Sequence, residues 1–188
     1  KMNVMKEKVL LLCIVLMGSF SSYGQSGQLG DIHWSFSGSV LTISGTGDMP
    51  DLYTNGWPWN SYRDDILRVE IEDGVTSIGS FSFELCPNLS SVKIPNSVTS
   101  IGINAFARDN SLTNIEIPNS VADIGKSAFF YCTNISNIKI PDSLTSINGC
   151  VFAGCNGLTS VVIPDNVKSI DESAFEQCED FTLYLRHI

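Results

Sequence analysis

The sequence predicts a β-rich solenoid of the α/β class, built from five stacked 23-residue coils and the start of a sixth. Three observations predict this fold. Large apolar residues return at the same phase every 23 residues, proline follows the apolar strand in four of the five copies, and a glycine, asparagine or aspartate recurs at one later position. A fixed period in this range is typical of solenoids. One coil alone buries too little apolar surface to offset the entropy of its ordering, so its stability must come from its neighbours.

The copies keep a common frame, which we number from the first apolar residue of each copy. The copies start at Ile66, Leu89, Leu112, Ile135 and Leu158, and Phe181 opens the sixth. Positions 1, 4, 6, 10, 13 and 18 are large and apolar in all five copies, and position 18 is always phenylalanine. We therefore expect six buried columns. Positions 15 to 21 are predicted to form short helical or 3₁₀ turns on the outer side.

Two further positions predict where each coil turns. Position 7 is proline in four copies, and proline cannot donate to a strand ladder, so the strand should end there. Position 14 carries the residue types that best tolerate a left-handed backbone, which predicts φ > 0 at this bend. The residues at position 14 are Gly79, Gly102, Gly125, Asn148 and Asp171.

Residues 1–24 have the order of a secretory signal peptide. Lysines precede an apolar run at residues 9–17, and small residues follow it up to Gly24, after which we expect cleavage. A membrane-spanning helix needs about 20 apolar residues, so this run predicts export without a transmembrane segment. A buried N-terminal helix is the alternative.

Residues 25–65 are predicted to cap the first coil, which leaves residues 66–188 for the solenoid. Ile32, Trp34 and Phe36 alternate with polar residues, as in a half-buried strand. Residues 40–44 are β-prone and predict the return strand of a β-hairpin. An atypical terminal unit is expected because the first coil would otherwise expose its apolar interior.

The repeat frame LxxVxIPxSVTSIGxxAFxxC resembles the BspA-like leucine-rich repeat of bacterial surface proteins. The segment WSFSGSVLTISGTGDM, with the following WPWNSYRDDILRVEIEDGVTSIG, is similar to the lead-in of the same family. The resemblance covers about residues 31–188. It implies a right-handed leucine-rich-repeat solenoid that is secreted or attached to the cell surface. It also implies binding of host or matrix proteins, or adhesion between cells, and it brings no catalytic motif.

Position 21 forms a column of cysteines, interrupted by Asp109 in the second copy. Because same-phase side chains point the same way, we favour a row of free thiols. A disulfide between neighbouring coils and a metal site are the alternatives. The cysteines of the column are Cys86, Cys132, Cys155 and Cys178, and Cys150 lies outside it.

No catalytic, cofactor or metal site is predicted. The two histidines, His33 and His187, lie near opposite ends of the repeat region, and no Gly-x-Ser-x-Gly elbow is present. Neighbouring carboxylates such as Asp64 and Asp65 are interpreted as solvated surface. Calcium along the Asp/Asn row at position 8 is an alternative to ordinary turn residues. The net charge of −9 argues against nucleic acid and favours neutral or basic partners.

The predicted binding surface is the outward face of the first strand in each coil, at positions 3 and 5. It is polar and mixed in charge: Arg68, Glu70, Ser91, Lys93, Asn114, Glu116, Asn137, Lys139, Ser160 and Val162. Trp57 and Trp59 form an aromatic cluster with two tyrosines. This cluster is either the core of the cap or a platform for a sugar or a protein.

The last copy departs from the frame. Phe181 and Tyr184 keep positions 1 and 4, but Arg186 stands where position 6 is otherwise isoleucine. We expect the last strand to be a sheet edge, which invites pairing with another chain. The prediction is end-to-end self-association, or a stop that uses Arg186 and His187 as edge charges.

Together these patterns predict a secreted or cell-surface, non-enzymatic module that recognises a protein through its repeated strand face. One alternative is a carbohydrate-binding accessory module or enzyme that uses the aromatic N-terminal region. A second is a structural spacer in a larger surface assembly.

Overall fold

The computed structural model describes residues 24–53 and 55–186. Residues 1–23 of the predicted signal peptide, which ends at Gly24, and His187 lie outside the described residues. No helix within the described ranges is long and apolar enough to cross a membrane.

The N-terminal region supplies four strands and one short helix before the first full coil. The elements are β1 (Gln25–Leu29), β2 (Ile32–Ser37), β3 (Val40–Gly45), β4 (Gly47–Asp48) and a 3₁₀ helix (Asn60–Asp65). β2 pairs antiparallel with both β1 and β3. β3 and β4 then pair in parallel with strands of the first coil, so this region continues the stacking of the repeats.

Each coil contributes two short strands, one from each side of the proline turn. The first series is β5 (Arg68–Ile71), β7 (Ser91–Lys93), β9 (Asn114–Ile115), β11 (Asn137–Ile138), β13 (Ser160–Ile163) and β15 (Thr182–Leu185). The second series is β6 (Val75–Ile78), β8 (Ser100–Ile101), β10 (Asp123–Ile124), β12 (Ser146–Ile147) and β14 (Ser169–Ile170). Pairing within each series is parallel, as stacked coils require.

The buried columns predicted from the repeat are confirmed for the first four coils, apart from the half-buried Ile94. In the fifth coil Val167 and Phe175 are half-buried and Ile170 is 36% exposed. Ile78 pairs in register with Ile101, and both are buried. The phenylalanines at position 18 stack through the centre, with ring centroids 5.3 to 5.5 Å apart from Phe83 to Phe175. The fold is therefore the predicted β-rich solenoid with 23-residue coils.

The outer side of the described coils consists of hydrogen-bonded turns rather than helices. Backbone N–H groups at positions 16, 18 and 20 donate to carbonyls at positions 15, 17 and 19 of the next coil. Phe106 donates to Ala128 over 2.8 Å, and Arg108 donates to Phe130 over 2.7 Å. These donors are used between coils, so they do not close helical turns within one coil. The outer side is thus a third ladder that joins successive coils.

The prediction of φ > 0 at position 14 is wrong. The left-handed residues lie at positions 16 and 20 instead, for example Asn104 with φ 53° and Arg108 with φ 65°. Glycine is needed at position 14 of the first three coils because the preceding chain passes very close there. A Cβ would lie 2.4 Å from Pro50 O at Gly79 and 2.5 Å from Ser80 N at Gly102. The recurrence of glycine at position 14 thus reflects the close approach of the preceding chain and not a left-handed backbone.

The predicted register of the last copy is wrong by one residue. β15 pairs with β13 so that Leu183 lies beside Val161 and Leu185 beside Ile163. Leu185, not Arg186, therefore occupies position 6. This register places two leucines in the apolar columns, where the 23-residue spacing would have placed Tyr184 and Arg186. Arg186 instead lies beyond the strand, with its Nη1 3.0 Å from Asp142 Oδ1.

Candidate protein-binding surface

The face predicted to bind a partner is continuous along the first strand series. Side chains at positions 3 and 5 alternate with buried residues such as Val92 and Ile138, so they point away from the core. Arg68 pairs with Ser91 and Glu70 with Lys93 in adjacent strands, and β7 contacts β9 as β11 contacts β13. Of the ten predicted strand residues, Glu70 is half-buried and the other nine are exposed. The structure brings them together as two parallel rows, which we call the strand face.

The C-terminal end of the strand face is apolar, a feature that the sequence reasoning missed. The corrected register places Tyr184 beside Val162 at position 5. Tyr184 is 54% exposed and Val162 is 50% exposed. The alternation of Thr182, Leu183, Tyr184 and Leu185 was the available signal, since it places Tyr184 on the outward side of the strand.

Trp57 and Trp59 do not belong to an exposed binding surface, so the prediction that included them is wrong. They are 2% and 0% exposed. Their indole N–H groups donate to the carbonyls of Ser80 (3.1 Å) and Ser82 (2.7 Å), and Trp59 stacks on Phe83 with centroids 6.0 Å apart. The large aromatic rings extend the phenylalanine column into the cap, and their polar atoms find backbone partners. These residues hold the cap onto the first coil.

The position-21 column is a row of free thiols bonded to the preceding coil. The Sγ of Cys132 donates to Phe106 O at 2.9 Å, and the Sγ of Cys155 donates to Phe129 O at 3.2 Å. All five described cysteines are free. Burial raises the pKa of Cys155 to about 12, so its thiol is protonated and unreactive at neutral pH. The column joins coils through side chain–backbone hydrogen bonds without a covalent link.

Asp109 occupies the cysteine position in the second coil and is fully buried. Its Oδ1 accepts the backbone N–H of Cys86 at 2.8 Å, whereas its Oδ2 has no hydrogen-bond partner in the described residues. Burial raises the pKa of Asp109 well above its usual range, and the charge of Arg63 opposes part of this shift. Burial therefore favours the protonated carboxyl group, and Asp109 accepts a backbone N–H where the thiols of the column donate to a carbonyl.

Within the described ranges, no three His, Cys, Asp or Glu side chains converge in a way that could hold a metal ion. The side chains of the strand face are suited to hydrogen bonding, charge pairing and, at its C-terminal end, apolar contact. Interactions of this kind occur at protein–protein interfaces.

Solved structures with the same architecture come from bacteria. A leucine-rich repeat protein from Eubacterium ventriosum is 28% identical, with a TM-score of 0.78, over 88% of this chain and 45% of that chain. The Treponema pallidum leucine-rich repeat protein is 24% identical, with a TM-score of 0.66, over 88% and 80% of the two chains. The pneumococcal vaccine antigen PcpA is 18% identical, with a TM-score of 0.57, over 88% and 51%. This chain thus spans less than half of the Eubacterium protein. No curated protein matches the chain.

The repeat region also matches an established family description. The BspA type leucine rich repeat region matches six copies over residues 61–182, which is most of the chain. The frame, the stacked coils and this match agree. The chain belongs to the BspA-type leucine-rich repeat family.

Proposed function

We propose that the chain is an exported, non-catalytic module that recognises a protein through its strand face. The observation that carries this proposal is a two-row, solvent-exposed face held by a rigid stack of coils and ending in the apolar pair Val162 and Tyr184. Laterally repeated solenoid faces are widely used for protein recognition. Tyrosine is also among the residues that contribute most to binding energy at protein interfaces.

The charge of the molecule restricts the partner. A net charge of −9 favours neutral or basic proteins and disfavours nucleic acid. The strand face itself carries both signs, with Lys93 and Lys139 near Glu116. Such a face suits a partner with an alternating charge pattern, and matrix or host-surface proteins are the class that we propose.

We propose a secreted or cell-surface location. The basic, apolar and small-residue order of residues 1–24 supports export. Membership of the BspA-type repeat family supports a surface role. N-terminal sequencing of the exported protein checks this proposal. A chain that begins after Gly24 is the expected result, and an uncleaved chain retained in the cytoplasm would contradict it.

The recognition proposal is tested by surface plasmon resonance against immobilised matrix proteins, with fibronectin and collagen as probes. A Val162→Ser, Tyr184→Ser double variant should weaken binding by about tenfold or more, since hot-spot residues contribute about 2 kcal/mol. Ile103→Ser is the matched control, because Ile103 is 47% exposed but lies outside the strand face. Equal affinity of the double variant and the control would overturn the assignment of the face. Absence of binding to every probe would favour the spacer alternative.

A second proposal, self-association, rests on β15. Its outer edge has no neighbouring strand among the described residues, and Leu185 is 58% exposed. An unprotected apolar edge invites strand pairing with a second copy. We expect the mass measured by light scattering to rise with concentration and Leu185→Lys to keep the chain monomeric. A constant monomeric mass for the unmodified chain would exclude this proposal.

A further inference from the structure

A groove on the outer side of the first three coils, away from the strand face, is built from two rows of side chains. Its volume is about 460 Å³. Leu85, Arg108 and Tyr131 form one row at position 20, and Asn110 and Thr133 belong to a second row at position 22. Asp64 lines the N-terminal end of the groove. We call this feature the outer groove.

The large side chains at position 20 of the outer groove are attached to a backbone with positive φ. Leu85, Arg108 and Tyr131 have φ of 61°, 65° and 57°, in the left-handed region that glycine adopts most easily. Gly154 occupies the same position in the fourth coil. Side chains with a Cβ cost on the order of 1–2 kcal/mol in this conformation. An apolar, a cationic and an aromatic side chain are thus presented to solvent from backbone positions where glycine would be less strained.

Tyr131 is held in one orientation. Its ring lies against Gly154, where an added Cβ would come within 2.7 Å of the ring. Its hydroxyl donates to Gln177 Oε1 at 2.5 Å, and its ring packs edge-on against Phe130. The side chain is nevertheless 39% exposed. Such a fixed, partly exposed aromatic ring binds a ligand with little loss of side-chain entropy.

The polar groups of the outer groove are available to a ligand. Arg108 is exposed and forms no ion pair with any residue in the described part of the chain. The Asn110 Oδ1 accepts a hydrogen bond from the Thr133 hydroxyl at 3.4 Å, which leaves the amide N–H groups of Asn110 to donate. Asp64 offers an exposed carboxylate as an acceptor. A guanidinium and an amide therefore lie in the coil next to the aromatic ring, and a carboxylate lines the other end of the groove.

We propose that the outer groove binds an acidic saccharide, a sugar chain with a carboxylate on a pyranose ring. Arg108 pairs with the carboxylate, Tyr131 packs against the apolar face of a ring, and Asn110 and Asp64 bond to hydroxyls. Along the groove, the apolar Leu85, the hydrogen-bonding Arg108 and the aromatic Tyr131 follow one another in successive coils, which are about 4.7–4.9 Å apart. An extended peptide presents same-side residues only about every 6.6 Å and does not match this spacing. The groove is lined by the single carboxylate of Asp64, so binding without glycosidic cleavage is expected.

The overall negative charge does not prevent this binding. At physiological ionic strength the Debye length is about 8 Å, so carboxylates outside the groove are screened. Within the groove, Asp64 precedes the first coil whereas Arg108 belongs to the second. The inference is independent of the strand-face proposal, since the two surfaces share no residue.

The test is isothermal titration of the purified full chain with hyaluronan hexasaccharide and with 3′-sialyllactose, which distinguish a uronic from a sialic acid. Chitohexaose and lactose are the neutral counterparts. We expect at least one acidic sugar to bind about tenfold more tightly than its neutral counterpart. Arg108→Gln should weaken this binding by about tenfold or more, Tyr131→Ala should do the same, and Tyr131→Phe should retain most of it. Lys168→Gln is the charge-matched control outside both surfaces and should bind as the unmodified chain does.

Three results would overturn the proposal. One is equal binding of neutral and acidic sugars, and another is equal affinity of the Arg108→Gln and Lys168→Gln variants. The third is binding of a polyglutamate peptide by a chain that binds neither acidic sugar, which would assign the groove to a protein partner. Circular dichroism melts verify folding, and Arg108→Gln decides the outcome if Tyr131→Ala is unfolded.

Discussion

Replacing Asp109 by cysteine should stabilise the protein at neutral pH. The substitution restores the residue found at this position in the other four coils. In the native protein Oδ2 of Asp109 is buried without a partner, and such a group costs about 1–3 kcal/mol. A thiol at the same place is expected to donate to the carbonyl of Phe83, by analogy with Cys132 and Phe106. The substitution also removes the acceptor of the Cys86 N–H, a loss of about 1 kcal/mol that offsets part of this gain. Because the unfolded native sequence also releases the Asp109 proton at pH 7, we expect a net rise in the free energy of unfolding of about 1–3 kcal/mol at this pH.

The pH dependence identifies the cause of this effect. Burial raises the pKa of Asp109 above its unfolded value of about 3.9. The group then favours folding most below about pH 4, where both states are protonated, and this stability falls as the pH rises because only the unfolded state releases the proton. The advantage of Asp109→Cys should thus be smallest near pH 3.5, where only the hydrogen-bond contributions remain, and largest near pH 7, where proton release by the unfolded state adds to them. At pH 7 the melting temperature should rise by about 2–12 °C, at about 2–4 °C per kcal/mol.

Thermal and urea unfolding followed by circular dichroism measure the effect, with Asp73→Asn as the control for removal of one exposed negative charge. The competing possibility is an ionised Asp109 stabilised by the nearby charge of Arg63. In that case the substitution would destabilise the protein by about 3–5 kcal/mol at pH 7, since a buried charge would lose its partner. Such a loss, or an advantage that does not grow with pH, would refute the reasoning.

Three further predictions concern the core, the close approach of coils and the thiols. Phe129→Ala should cost about 3–5 kcal/mol in urea unfolding, and Phe175→Ala should cost less because Phe175 is only partly buried; equal losses would contradict the stacked core. Gly102→Ala should cost about 1–3 kcal/mol because its Cβ would meet backbone at 2.5 Å, whereas Gly149→Ala meets side chains at 3.3 Å and should change little. In the native protein Cys155 should resist a thiol reagent at pH 8 and should react after denaturation, because burial raises its pKa to about 12. Labelling is identified by mass spectrometry, and rapid labelling of Cys155 in the native protein would argue against a buried thiol column.

The sequence predicted the columns well because they depend on phase alone. Each coil buries its side chains against the equivalent residues of the next, so the 23-residue period determines which residues meet, as with Ile78 and Ile101. The outer turns were less predictable. Their N–H groups bond to the following coil, and this arrangement places position 20 in the left-handed region. The type of side chain does not predict that conformation, since Arg108 and Tyr131 both adopt φ > 0.

The candidate surfaces were only partly predictable. The strand face follows from the alternation of buried and exposed residues along each strand. Tyr184 was missed because the last spacing between paired strand residues is 22 residues, from Ser160 to Thr182, and not 23. Trp57 and Trp59 were ambiguous because an aromatic cluster serves equally as core or platform, and their burial depends on the cap docking onto Phe83. The outer groove depends on side chains from three coils, and its residues carry no spacing signal of their own.

The equivalence of the junctions between coils bears on how such chains change length. Each junction between the full coils has the same phenylalanine stacking and equivalent outer hydrogen bonds, and at least one parallel strand pair joins the coils. Duplication or loss of one whole unit between two others would therefore re-form similar contacts, whereas an internal insertion of one or two residues would break several at once. Each added or lost copy therefore changes the length of the solenoid by about 4.7–4.9 Å, the spacing of neighbouring strands. The reach of the molecule towards a large partner is in this way adjustable by gene rearrangement rather than by gradual substitution.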